Sequence, residues 1–151
     1  MHAKYLEDLE VGDTFGGQRY AVPRDEMIAF AQKWDPRPIH VDDDAGRAAG
    51  FGEAIASGAY TTAIFTRLAL AAREADGGHA VIAGLGATMS LPRPVRANDA
   101  LEFRAEILEV RASKSRPDAG VVTMRARLHD QHGQIVYEST TSTLVARRSR
   151  S

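Results

Sequence analysis

The chain has 151 residues and a formal charge of −1, which makes it long enough for one domain with a real core and too neutral to favour nucleic acid or an anionic membrane. It contains no cysteine, so disulfides, thiol catalysis and thiolate metal sites are excluded. The N-terminal "MHAKYLEDLEVGD" has acids where a leader would need an apolar core, and no apolar run is long enough to cross a bilayer. A cytoplasmic protein with no membrane or nucleic-acid partner is expected.

In chain order, Asp13 to Val22 ("DTFGGQRYAV") has β-branched and aromatic residues around two glycines. This predicts a strand with a bulge. Pro23 then opens a helix whose first turn carries Asp25 and Glu26, where acids favour the helix dipole. Met27, Phe30, Ala31 and Trp34 follow at helical spacing as a core-facing stripe. Pro36 disfavours helical backbone at Asp35, so the helix ends there. Asp42 can cap a short helix in "DDDAGRAAGFGEAIASG". Gly58 to Glu74 ("GAYTTAIFTRLALAARE") is apolar or small on nearly every side, which predicts a helix buried all round. Four β-rich stretches follow at 80–91, 100–110, 120–130 and 134–146. Leu101, Phe103, Ala105 and Ile107 alternate with Glu102, Arg104 and Glu106, so one face is covered and the other wet. "SRPDAG" and "HDQHGQ" read as hairpin turns. The order predicts an α+β domain, a curved antiparallel sheet wrapped around one long helix. It is read as a single domain over 1–151, with 147–151 a flexible basic tail.

Two constellations bear chemistry. Asp35 and His40 lie on either side of Pro36 and Pro38. On one helix they would diverge by about 140°, and fully extended they would stand roughly 17 Å apart. A shared site therefore needs the chain to leave the helix and curl, and two fixed proline φ angles make a stiff curl. An Asp/His pair can hold a water and move protons near neutral pH; equally, Asp35 can cap a turn and His40 can be a merely hydrogen-bonded side chain. The second constellation is Ser57-Gly58. Ser57 is a natural N-cap, and Gly58 leaves its N–H approachable at the positive end of the helix. Such a donor suits a carbonyl oxygen that gains charge during reaction. His79, His129 and His132 sit beside turns and read as exposed; no metal ligand set is recognisable. Tyr60, Phe65 and Trp34 read as core.

"DPRPIHVD" (35–42), "GFGEAIASG" (50–58) and "LPRPVRANDAL" (91–101) together resemble the MaoC-like hydratase/dehydratase family of the hot-dog fold. The first is similar to that family's D-x-N-P-x-H signature. The resemblance implies (R)-specific hydration of an enoyl thioester, or dehydration of a 3-hydroxyacyl thioester. It puts Asp35, His40 and Gly58 in the catalytic roles and Ser57 and Arg37 at the substrate. No cofactor is implied; coenzyme A or an acyl carrier brings the substrate as a thioester. A homodimer or dimer-based oligomer is implied as well. One departure stands out: Arg37 occupies the place of the signature asparagine. An arginine there either turns outward or pairs with Asp35 and lowers its pKa. Two other readings use the same platform: a non-catalytic acyl-CoA or acyl-carrier binding protein, which the Arg37 departure favours, and a hot-dog acyl-CoA thioesterase.

Overall fold

The computed structural model describes residues 3–149. A 3-10 turn, Leu6–Asp8, leads into β1 (Thr14–Ala21), α1 (Arg24–Trp34), α2 (Pro38–Val41), α3 (Asp43–Ala48) and the long α4 (Gly58–Ala75). Four strands complete the chain: β2 (Val81–Ser90), β3 (Ala100–Ala112), β4 (Ala119–His129) and β5 (Ile135–Ala146). They form one antiparallel sheet in the order β1-β3-β4-β5-β2. A curved sheet of this kind with one long helix against it is the α+β hot-dog fold.

The alternation in β3 decides which face the helix covers. Leu101, Phe103, Ala105 and Ile107 are all buried, while Arg104 between them is exposed. Register carries the pattern across the sheet, with Phe103 opposite Leu128 and Ala105 opposite Ala126. Tyr60, Ile64, Phe65, Leu68 and Ala72 of α4 pack on this surface. The glycines of β1 act where expected: the pairing with β3 slips between Gly16 and Arg19. Gly16 lies so close to the Phe103 carbonyl, at a φ of 145°, that a side chain there would collide with the neighbouring strand.

Several expectations change. α4 is not buried all round, since Leu70 is 52% exposed and Thr66 and Arg67 are exposed too. The apolar surface that would cover it is not supplied by β2, which is itself exposed at every position. Trp34 is 66% exposed. It is the last residue of α1, past the point where Met27 and Ala31 meet the core, and the Lys33 ammonium sits 4.9 Å from its ring centroid. His79 is not an exposed turn residue. Its side chain is 5% exposed, packs edge-on against Phe15 and meets Asp76 at 2.8 Å. Burial holds the His79 pKa below the usual imidazole value. His129 is half-buried and His132 exposed. Arg147 and Arg148, expected in the basic tail, pair with Glu7 and Asp8 of the 3-10 turn; 150–151 lie outside the described residues. Among the described residues no helix is long and apolar enough to cross a membrane.

Candidate active site

The sequence between Asp35 and Gly58 does three local things. Helix α1 ends at Asp35, whose N–H still bonds the Ala31 carbonyl. Pro38 then occupies the first position of α2, where its missing N–H costs nothing. The stiff curl expected from the prolines is therefore one helical turn, and it delivers His40 to the interior at 5% exposure. Asp42 ends that turn and caps α3, accepting from the Asp44 N–H at 3.1 Å.

The segment before α4 is held from several sides. Ile55 N–H bonds the Ile39 carbonyl at 3.0 Å, Ala56 N–H bonds the Val95 carbonyl at 2.8 Å, and Ala54 N–H bonds Asp43 Oδ1 at 3.0 Å. Gly46 of α3 lies against the Glu53 carbonyl with no room for a Cβ. α1 is tied to α4 as well, because Tyr60 donates to Glu26 Oε1 at 2.6 Å and Tyr20 donates to the same oxygen. These two donors keep the Glu26 carboxyl ionised by lowering its pKa.

The result is a geometry that five residues of sequence could not guarantee. His40 Nε2 stands 3.5 Å from Asp35 Oδ2. His40 Nδ1 is 2.9 Å from the Ile55 carbonyl oxygen. A carbonyl only accepts, so Nδ1 carries the hydrogen and Nε2 of the neutral ring is a bare lone pair. Neither atom can donate to the other, so both are left to accept from a donor in the cavity. Asp35 is braced on three sides: Arg37 Nε donates to Oδ1 at 2.7 Å, Arg37 Nη2 to Oδ2 at 2.8 Å, and Ser57 Oγ to Oδ2 at 2.7 Å. The Arg37 fork, followed by the Ser57 hydroxyl, holds the Asp35 pKa well below the usual carboxylate range. Of the two outcomes open for Arg37, pairing with Asp35 is the one found.

Ser57 caps α4 as expected, its Oγ accepting from the Ala59 N–H at 3.2 Å. It is fully buried, and its hydroxyl is committed to Asp35 and Ala59. The Gly58 N–H occupies the first helical position, where no carbonyl four residues back is available, and no described hydrogen bond uses it. Asp35, Arg37, His40 and Gly58 line one cavity of about 560 Å³. Its remaining wall includes Phe51, Ile55, Thr61 and the Leu91–Val95 turn. Sequence reasoning missed the Ile55 carbonyl, since any residue type supplies one. It also missed Leu91 as a wall residue, although "LPRPVR" was already a marked segment. Among the described residues no three acidic or histidine side chains cluster as a metal site.

The family model described as a MaoC-like domain matches residues 8–128. The crystal structure of a MaoC-like dehydratase from Rhodospirillum rubrum superposes with a TM-score of 0.88 at 38% identity, covering 98% of this chain and 100% of that one. A 3-hydroxybutyryl-CoA dehydratase of Methylorubrum extorquens is 30% identical over 111 residues, 73% of this chain and 68% of that protein. The uncharacterised YdeM protein of Bacillus subtilis is 29% identical over 143 residues, 94% of this chain and 99% of that protein. With that family model matching residues 8–128, most of the chain, this protein belongs to the MaoC-like dehydratase family.

Proposed function

We propose that the protein is an (R)-specific enoyl-thioester hydratase and, in reverse, a 3-hydroxyacyl-thioester dehydratase. The observation that carries this reading is the shared cavity: an Asp35/His40 pair 3.5 Å apart and a helix-start N–H at Gly58 open to the same space. Water sits between His40 Nε2 and the Asp35 carboxylate and is aimed at the β-carbon of the substrate. The Gly58 N–H bonds the thioester oxygen, which gains negative charge as water adds, so the bond strengthens toward the transition state. Proton transfer by the dyad contributes a factor on the order of 10² or more. His40→Ala and Asp35→Asn, assayed on crotonyl-CoA and branched enoyl-CoAs, should each lose at least that factor. Near-normal turnover in both would end the reading. A panel of enoyl and 3-hydroxyacyl thioesters followed by mass identifies the acyl group and the carrier, coenzyme A or acyl carrier protein.

The clamp on Asp35 favours one other reading, a non-catalytic acyl-thioester binder. Tight ligand binding without turnover across that panel separates the two. Release of free thiol would instead mark the thioesterase reading, for which no feature of the site argues.

The chain functions as a homodimer or a dimer-based oligomer in this proposal. Its support is the apolar surface left open by one chain: Ile82, Leu85 and Met89 of β2, and Leu91, are each more than 40% exposed. An edge strand with such side chains is a liability unless something covers it. Light scattering that finds only single chains would remove this part of the proposal.

A further inference from the structure

Asp35 is an unusual partner for a proton-moving histidine, because both of its oxygens are already occupied. Arg37 forks across them at 2.7 and 2.8 Å, and Ser57 adds a third donor at 2.7 Å. Three donors fill three of the carboxylate's about four acceptor positions and the charged fork lowers its basicity, so it is a poor seat for a proton while one position stays open to a water hydrogen. The local backbone explains the fork. Arg37 precedes Pro38 and is extended, with φ −62° and ψ 139°. Residues two apart on extended backbone lie on the same side, so Arg37 reaches back to Asp35 while Pro36 points the other way. The family signature that the segment resembles has asparagine here, whose neutral amide offers one nitrogen in place of a charged two-nitrogen fork.

His40 differs in every respect. Its Nδ1–H is fixed on the Ile55 carbonyl at 2.9 Å, which leaves Nε2 facing the cavity with an open lone pair. The other charged groups around the pair are Arg37, on the segment joining α1 to α2, and Arg93, on the turn after β2; both line the cavity. Neither can accept a proton.

We propose that Arg37 is a positioning residue: its fork holds Asp35 as a fixed acceptor, so that His40 Nε2 alone takes the proton from water and returns it to the substrate. The proposal rests on the hydratase reading above. In the forward direction a water O–H bond breaks to His40 Nε2 while the water oxygen bonds the β-carbon. The displaced π electrons move onto the thioester oxygen, held by the Gly58 N–H. Asp35 keeps the second water hydrogen as a hydrogen bond throughout. The enolate then collapses, its α-carbon taking the proton from Nε2, and the imidazole is neutral again. One molecule of water has been added, and no proton has passed through Asp35.

The test compares the wild type with Arg37→Gln and Arg37→Lys, the second keeping the charge without the fork. Arg37 is 69% exposed, so both variants should fold, and circular dichroism checks this. In the wild type Asp35, held below the usual carboxylate range, adds no ionisation of its own to the acid limb of kcat/KM near the ordinary aspartate value. In Arg37→Gln, kcat should fall about tenfold with KM within about twofold, and a second ionisation should enter near the ordinary aspartate value of about 4. Arg37→Lys should lie between. An unchanged kcat and a one-proton limb in Arg37→Gln would overturn the proposal. So would a loss confined to KM that disappears when coenzyme A is replaced by pantetheine, because Arg37 would then be touching the carrier. Carbon-13 titration of the Asp35 carboxyl needs no substrate: an ordinary titration in the wild type would also overturn it. If His40→Ala and Asp35→Asn retain turnover, the hydratase reading itself fails, whatever Arg37 does.

Discussion

The two flanks of α4 are built in opposite ways. The flank facing β1, β3 and β4 is closed: Phe103, Leu101, Ala126 and Leu128 are all at 0% exposure, and the segment from Asp35 to Gly58 is pinned by backbone bonds. The flank facing β2 is open, with Leu85 of β2 54% exposed and Thr66 of α4 exposed. Both contain comparable apolar residues, so hydrophobicity does not separate them. The difference is what one chain can bring to bear. β3 and β4 lie in the middle of the sheet with the helix across them, whereas β2 is an edge strand bonded to β5 alone. The Asp35/His40 pair, with its fixed distances, lies with the pinned segment, and the exposed apolar side chains are left on the open flank.

The contrast can be broken most strongly at Phe103. Truncation to alanine should cost about 3–5 kcal/mol, by lost transfer energy and the cavity left behind. Chemical denaturation reads this directly, and a change below about 1 kcal/mol would mean that the closed flank is loosely packed. The corresponding experiment on the open flank is Leu85→Asp. It should convert a dimer-mass particle into single chains by light scattering while leaving the circular dichroism spectrum unchanged. An unaltered mass would place the contact elsewhere.

Gly58 sits where the two flanks meet, and its substitution sharpens the comparison. A Cβ at this position would come within 2.8 Å of Leu91 Cδ1. Leu91 is 45% exposed, so it can rotate away, and into the cavity mouth. Gly58→Ala should therefore leave the melting temperature nearly unchanged while kcat/KM falls by about tenfold. A large loss of stability would show that Leu91 is not free to move. The smallest effect is expected at Glu26, which accepts from Tyr20 and Tyr60 on a solvent-exposed edge. Glu26→Gln keeps the shape and loses the charge, at under about 1 kcal/mol. Its pH dependence has a definite sign. Glu26 is lowered below the ordinary glutamate pKa by the two tyrosine donors, so its contribution is complete above the unfolded value of about 4.3. It is lost as the pH falls through the lower folded value. Stability curves of wild type and Glu26→Gln should converge in acid; curves that stay parallel would count against it.

Much of this was legible before any coordinates. Alternation in 100–107 identified the covered face of β3, and Ser57-Gly58 marked the start of α4. Pro36 set the end of α1, and the segment resembling the D-x-N-P-x-H signature singled out Asp35 and His40. These are local signals: side-chain period, capping chemistry and fixed φ angles act within a few residues. The sequence alone could not say whether Arg37 turned outward or inward. Nor could it show that Ile55 fixes the His40 tautomer, or that Trp34 lies outside the core. Each of those depends on neighbours brought together from distant segments, the 54–58 loop against α2 above all. The apolar character of α4 was equally readable, but whether its second flank was covered depended on where β2 fell in the sheet. Local chemistry thus determined which residues could act, while the packing of α1, α2 and the α4 start decided how they face each other. Interatomic distance and desolvation are properties of the assembled neighbourhood, and no single stretch of chain carries them.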